Sequence, residues 1–273
     1  MTSTIKSVEE LVSQDPHVDN RNLFDDLWGI LSEHKAQIDG QFQLMPDPST
    51  KDLQPFAAPG GKAKGYLSTF VGDEVDWLVH SWMGNPEKTF SNMHLAAWLG
   101  PSIQVPHLGM ALGTMPDIFM YLDFIPRRDL RHDLEYHDRY YEPVNPIYLD
   151  MLGDPAVKPF VSKSLFMRTA QSHTSLCFMI KPSVAMVEKI KRVSRQLVGL
   201  WLSYVEEARE KNELVPESQR VALAERDLLL RRTIAERDPA NSMGEHLFGE
   251  SLTNKLVGSL WGQDRQIPRV GSV

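Results

Sequence analysis

From residue 65 to residue 123 apolar residues alternate with polar or small ones at period two, and turn residues break the pattern at short intervals. Residues 65–72 (GYLSTFVG), 74–84 (EVDWLVHSWMG), 90–99, 105–112 and 117–123 read as five strands. Gly100-Pro101 and residues 113–116 separate the last three. Connections this short imply antiparallel neighbours, because a parallel return needs a crossover of a dozen or more residues. Ahead of the strands, residues 20–38 carry Leu23, Leu27, Ile30 and Leu31 near helical period, with Asn20 or Asn22 able to cap the start. Residues 39–64, rich in Pro, Gly and Asp, read as an ordered loop. Past the five strands, residues 127–141 form a charged segment predicted to be a helix. Residues 174–180 read as one more strand, opened by Ser172, His173 and Thr174. The rest is helical: a long amphipathic helix capped by Ser183 and ending near residues 211–212, then residues 223–237 and 245–261. A mainly antiparallel sheet followed by a helical block, with one helix in front, predicts an α+β fold with helices on both faces of the sheet. One domain over residues 1–273 is expected: helix and loop in 1–64, a sheet-rich part in 65–182, a helical part in 183–262, and a flexible tail from 263.

Alternation also sorts side chains by face. His94, Ala96 and Trp98 share one face of their strand, and His107, Gly109 and Ala111 share one face of the next. If the strands pair in register these faces coincide, leaving room above small residues for a planar ligand. The competing reading is close helix packing over Ala96, Gly109 and Ala111, with both histidines hydrogen-bonded in the core. In the charged segment, His132, Glu135 and His137 invite a metal reading. The histidines are five apart, however, and a helical pair needs a spacing of three or four, so a solvated face and no metal site is expected.

Composition narrows the classes. Hydrophobic residues make up 42% of the 273 and charged residues 24%, as in ordinary globular proteins. A net charge of -7 argues against a wrapped nucleic acid. The single cysteine, Cys177, excludes an intrachain disulfide and any cysteine-based zinc or iron–sulfur site. The start, MTSTIKSVEELVSQD, lacks a signal peptide's apolar run, and no later stretch approaches the ~20 apolar residues that span a membrane. The expectation is a soluble, cytoplasmic protein. GxGxxG after a strand, GxxxxGK, HExxH and GxSxG are all missing, which removes the usual nucleotide, zinc-protease and α/β-hydrolase readings.

Four segments, DFIPRRDL (residues 123–130), VSKSLFMRTAQSHTS (161–175), ERDLLLRR (225–232) and HLFGESL (246–252), resemble segments of red chlorophyll catabolite reductases in the same order and similar spacing. DWLVHSWMG (76–84) is similar to that family's second strand. The resemblance covers roughly residues 65–261. It implies kinship with the ferredoxin-dependent bilin reductases: an α/β/α sandwich around an antiparallel sheet, binding an open-chain tetrapyrrole between the sheet and the C-terminal helices. It further implies no bound flavin or metal, single electrons taken from ferredoxin, and protons given by side-chain acids.

This chain departs from the pattern at one telling place. Ala111 stands where the plant enzymes resemble one another in a glutamate and related bilin reductases have an aspartate, and Ala111 has no proton to give. The family's second acidic position matches either Asp238 or Asn241. His94 resembles a histidine that works beside the aspartate, and an ordinary imidazole titrates near neutral pH, so His94 is the expected proton donor. His107 is expected as a second donor or ligand anchor and Asp238 as an auxiliary acid. Arg168 or Arg127 is expected to hold a propionate, since a guanidinium matches a carboxylate in bidentate geometry. Trp98, Ala111, His173, Asn241 and His80 complete the expected binding set. An acidic ferredoxin needs a locally basic face. The run EKIKRVSRQ (188–196) supplies Lys189, Lys191, Arg192 and Arg195, although a solvated helix face is the preferred reading of that run. A homodimer is implied by the resemblance alone. Two other functions are open: a cofactor-free lyase or isomerase acting on a smaller aromatic compound, and a non-catalytic tetrapyrrole-binding protein.

Overall fold

Five strands form a meander in which each pairs antiparallel with the next: β3 (Lys64–Val71), β4 (Val75–Gly84), β5 (Ser91–Leu99), β6 (His107–Met115) and β7 (Asp117–Ile125). In this computed structural model, which describes residues 19–61, 63–88 and 90–263, four more strands extend the meander to nine. They are β1 (Met45–Pro46), β2 (Phe56–Ala57), β8 (Val157–Pro159) and β9 (Leu176–Ile180), and the order is β1-β3-β4-β5-β6-β7-β9-β8, with β2 also on β3. The strand expected over residues 174–180 is β9, and it lies beside β7. β6 runs past the expected end at residue 112 to Met115, because Thr114 pairs with Ile118 and its hydroxyl meets that of Ser91 at 2.9 Å. The polar, acidic start and the tail from residue 264 lie outside the described residues.

Period-two alternation gives the sheet two buried faces. Leu78, Met93, Leu95, Leu108, Met110, Leu112, Met120, Leu122 and Phe178 form one. It is covered by α1 (Arg21–Gln41), through Leu27, Ile30, Leu31 and Ile38, and by α5 (Val184–Glu210), through Ile190, Val193, Leu197, Val198 and Trp201. Asn20 stands at the N-cap of α1 without a side-chain capping bond. Ser183 caps α5 as expected, its hydroxyl accepting the Met186 N–H at 3.2 Å. Burying such faces is the main stabilising term, at about 25 cal/mol per Å² of apolar surface.

The opposite face is covered by α6 (Glu217–Glu236), α7 (Asn241–Phe248) and α8 (Glu250–Trp261). This is the expected α/β/α sandwich. One helix expected over residues 245–261 is two, because Gly249 takes a φ of +80°, a conformation that suits only glycine without cost. The charged segment is helical only in α2 (Leu134–Tyr140). Asp129 and Asp133 bind backbone N–H groups of Arg131 and Tyr136, so the preceding residues turn instead of continuing a helix. His132 and His137 face different carboxylates, Asp129 and Asp138, and do not converge. Two short helices, α3 (Asn145–Leu152) and α4 (Leu165–Ala170), precede and follow β8. No helix among the described residues is long and apolar enough to cross a membrane.

Candidate active site

A single residue looped out of β4 sets up the site. Asp76 is the extra residue between the pairs Val75–Leu99 and Trp77–Trp98, so Trp77, Val79 and Ser81 turn to the C-terminal helices while Val75 stays in the opposite core. Asp76 itself meets Arg231 of α6 at 2.8 Å, and the Trp77 indole donates to the Ser259 carbonyl of α8 at 3.1 Å. Helices and sheet are thereby clamped at one end. At the other end a cavity opens between them.

The register lays out its floor. His94 pairs with Ala111, Ala111 with Tyr121 and Tyr121 with Cys177, so these four form one row across the sheet. Ala96 and Gly109 lie in the next row, and Asp123, which completes that row on β7, does not reach the cavity. Asn92, Trp98 and Ile125 complete the floor. Gly109 has a definite reason to lack a side chain, since a Cβ there would lie 2.9 Å from Ile125 Cδ1 and 3.1 Å from Tyr121 Cε1. Its absence lets the Tyr121 ring lean over β6. Arg231, Ile234, Ala235, Asp238 and Leu260 form the roof. The wall is the connection from β8 to β9, through Phe160, Lys163, Met167 and Gln171.

Burial controls the charges here. His94 sits where burial pushes its imidazole down to about 4, so it is neutral at pH 7. The Asp238 carboxyl is pushed up by burial, against the hydrogen bond it accepts from the Ala240 N–H at 2.9 Å. Asp123 is pushed up to about 6, again by burial, although Ser172 donates to it. The Cys177 thiol is driven up to about 12 by burial and is no nucleophile.

Four of the expected site residues, His94, Trp98, Ala111 and Asp238, line this cavity. The other six do not. His107 shares the face, yet it is fully buried behind Trp98, with ring centroids 4.7 Å apart. Its Nδ1 accepts the Leu99 N–H at 3.0 Å and its Nε2 faces Asp227 at 3.5 Å, and burial followed by the Arg127 charge lowers it to about 4. It is a core histidine. Arg127 is equally buried: it binds Asp227 through Nε and Nη2, Ile103 O and Val105 O through Nη1, and Gly100 O through Nη2. No N–H is left for a propionate. His80 points to the other face, stacked on Trp28 at 4.2 Å. Arg168 lies on the outer side of α4, exposed, while Met167 and Ala170 of the same helix face the cavity. Its Nη1 donates to the Ser162 carbonyl at 2.6 Å. His173 is exposed in the turn before β9. Asn241 turns back to the end of α6 and donates to the Ala235 carbonyl at 2.8 Å. Of the two candidates for the family's second acid, Asp238 is the one in the cavity.

Sequence reading missed Asn92, Tyr121, Lys163 and Arg231. Tyr121 and Asp123 were legible in principle, because a tyrosine and an aspartate two apart in the otherwise apolar strand DIFMYLDFI must share a face.

Comparison with known proteins places this geometry. The family model described as Red chlorophyll catabolite reductase (RCC reductase) matches residues 21–261. A chloroplastic red chlorophyll catabolite reductase of Arabidopsis thaliana is 26% identical over 238 residues, covering 81% of this chain and 74% of that protein. One from Oryza sativa subsp. japonica, also named chloroplastic, is 25% identical over 80% of this chain and 71% of its own length. These names overturn the cytoplasmic setting expected from composition, which carries no information about a destination organelle. Among solved structures, tomato phytochromobilin synthase in complex with biliverdin superposes with a TM-score of 0.73 at 14% identity, over 88% of this chain and 84% of that one. That likeness supports the fold: an antiparallel sheet between helical layers. With its sequence matched from residue 21 to residue 261, this chain belongs to the red chlorophyll catabolite reductase family and is an oxidoreductase.

Proposed function

We propose that this protein reduces an open-chain tetrapyrrole held flat in the cavity between the sheet and α6. The observation that carries the reading is the floor itself. Ala96 and Ala111 leave room above the sheet, the Tyr121 ring and Ile125 lie over Gly109 between them, apolar side chains enclose the space, and a few polar groups converge on it from floor, roof and wall. The lining is drawn from the adjacent strands β4, β5, β6, β7 and β9, and four spacings of about 4.8 Å make the floor about 19 Å wide. That is ample for a planar conjugated ligand. Cys177, the cysteine of the floor, is held as a thiol and offers no thiolate nucleophile.

Reduction of one double bond consumes two electrons and two protons. The electrons come singly from a ferredoxin-type donor, with no cofactor bound to this chain. Ferredoxin is acidic, and three exposed cations stand on the elements that build wall and roof: Lys163, which lines the cavity, Arg168 of α4 and Arg237 at the end of α6. They are better placed than the run at residues 188–196. That run lies on α5, across the sheet from the cavity, where Lys189 pairs with Asp154 and Arg195 with Glu33. One proton comes from Asp238 in the roof, whose burial favours the protonated carboxyl. His94, neutral at pH 7, does not act as the imidazolium donor. It donates a hydrogen bond to a ligand oxygen and stabilises the negative charge that reduction places there. Lys163 pairs with a ligand carboxylate in the role expected of Arg168.

The test mixes a bilin with the purified protein and then adds reduced ferredoxin. A shifted bilin absorption band on binding, followed by bleaching of the conjugated band with ferredoxin, is the expected result. Binding without bleaching would instead make the protein a carrier. If no bilin shifts, the acid–base reading on a smaller aromatic compound, which the missing carboxyl at Ala111 favours, takes its place.

A further inference from the structure

Tyr121 stands at the centre of the cavity floor, paired across the sheet with Ala111 on one side and Cys177 on the other. Its ring leans over β6 so far that a Cβ on Gly109 would be 3.4 Å from the phenolic oxygen. The hydroxyl therefore lies over the same strand as Ala111, where the family's carboxyl is missing. Behind it, away from the cavity, Tyr121 donates to Asp123 Oδ2 at 3.4 Å. Asp123, only 2% exposed, accepts the Ser172 N–H at 2.9 Å and the Ser172 hydroxyl at 2.5 Å. Ser172 Oγ lies 3.3 Å from Thr174 Oγ1, which is half-buried in the turn before β9. A line of hydroxyl and carboxyl groups thus runs from the cavity floor to the edge of the molecule.

We infer that Tyr121 is a catalytic proton donor on the floor of the site, opposite Asp238 in the roof, and that Asp123 returns the proton to it from behind. The inference rests on the tetrapyrrole reading and supplies the second of its two protons. Once an electron from the ferredoxin-type donor has reached the ligand, the Tyr121 O–H bond breaks and a bond from the ligand to that proton forms. Both electrons of the O–H bond stay on the phenolate oxygen. The protonated Asp123 carboxyl then loses its proton to the phenolate. Solvent restores that proton through the Ser172 and Thr174 hydroxyls. Neither residue is oxidised.

Electrostatics agree with the direction of flow. Burial, then the Asp123 and Cys177 groups, hold the Tyr121 phenol far above 10, so it always carries its proton, and only a strongly basic reduced ligand can take it. Burial holds Asp123 up to about 6, so a fraction of it is still a carboxylic acid at neutral pH. The groups facing this pair are Ser172 and Cys177 from the β9 side, Tyr141 behind, and His94, Asp238, Arg231 and Lys163 around the cavity.

Tyr121→Phe keeps the ring over Gly109 and removes only the hydroxyl. Bilin affinity should stay within a few-fold while turnover with reduced ferredoxin falls ~10²- to 10⁴-fold. A one-electron-reduced bilin radical should accumulate and be visible by electron paramagnetic resonance. Asp123→Asn should slow turnover and flatten the decline of rate as pH rises through about 6, leaving only the part that deprotonation of Asp238 contributes. A Tyr121→Phe protein with normal turnover and no radical, alongside an active wild type, overturns the inference and leaves the tetrapyrrole reading standing. A parallel loss of affinity, melting temperature and rate without a radical reduces Tyr121 to a packing residue. A wild type that neither binds nor reduces a bilin overturns both.

Discussion

At the scale of single residues, burial rather than residue type decides what each group in the cavity can do. An ordinary imidazole is half protonated near 6.5, which makes histidine the obvious donor in a sequence. In the cavity, His94 is lowered to about 4 and only about one molecule in a thousand carries the imidazolium at pH 7. The hydrogen-bonding role can be separated from general acid catalysis by two substitutions. His94→Gln keeps an N–H donor and should retain most of the turnover, whereas His94→Leu should lose ~10²- to 10³-fold, with bilin affinity little changed for either. Equal losses in both, measured as steady-state reduction of a bilin, would restore the acid role. The carboxylate partner is separable in the same way. Lys163→Ala should weaken binding of a free-acid bilin several-fold and leave its dimethyl ester unaffected, while Arg168→Ala should change neither, as read by absorption titration.

At the scale of elements, the segments that carry the family resemblance turn out to be joined to each other by buried polar contacts. Arg127 of DFIPRRDL binds Asp227 of ERDLLLRR, Arg231 of the same helix binds Asp76 of DWLVHSWMG, and Asp123 binds Ser172 of the segment before β9. These contacts fasten α6 and the β8–β9 connection to the sheet, and so hold roof and wall over the floor. Arg127 meets four groups from distant parts of the chain, Asp227 and the carbonyls of Gly100, Ile103 and Val105. Asp227→Ala leaves that guanidinium buried without its counter-charge and should cost about 3–5 kcal/mol, measured by urea denaturation. A loss below ~1 kcal/mol would mean that the carbonyls and water suffice. Burial works against ionised Asp227, but its hydrogen bonds and charge contacts with His107 and Arg127 outweigh it and keep the carboxyl below its usual value.

At the scale of the whole molecule, buried histidines tie stability to pH. His80, His94 and His107 are each lowered by burial to about 4 in the folded chain, against about 6.5 unfolded. Between those values the unfolded chain binds more protons, so stability rises with pH across the window and is lost as pH falls from about 6.5 to about 4. Asp123, raised to about 6, and Asp238, also raised by burial, work the other way above their ordinary values, but they are two acids against four histidines, since burial lowers His34 as well. The melting temperature should therefore be highest near neutrality and drop steeply below pH 6. Replacing His80, which lies outside the cavity, by Gln should flatten that slope. An unchanged melting temperature from pH 7 to pH 4 would show that these histidines titrate as if exposed.

The chain's local patterns by themselves determined the class of fold. Alternation marked the five-strand meander and β9, short connections made it antiparallel, and helical periodicity placed α1, α5 and α6, because these signals depend only on near neighbours. The shared face of His94, Trp98, Gly109 and Ala111 followed from the same periodicity once adjacent strands were paired. Gly249 escaped notice because a helix break of one residue depends on a dihedral angle, and the periodic apolar pattern continues across it. Which polar residues reach the ligand was decided by tertiary structure alone. Arg127 and His107 are drawn inward by Asp227, about a hundred residues away in the chain, whereas Tyr121 is admitted to the floor by the space above Gly109 on the next strand. Such choices depend on distances between segments remote in sequence, and on the cost of leaving a buried charge without a partner.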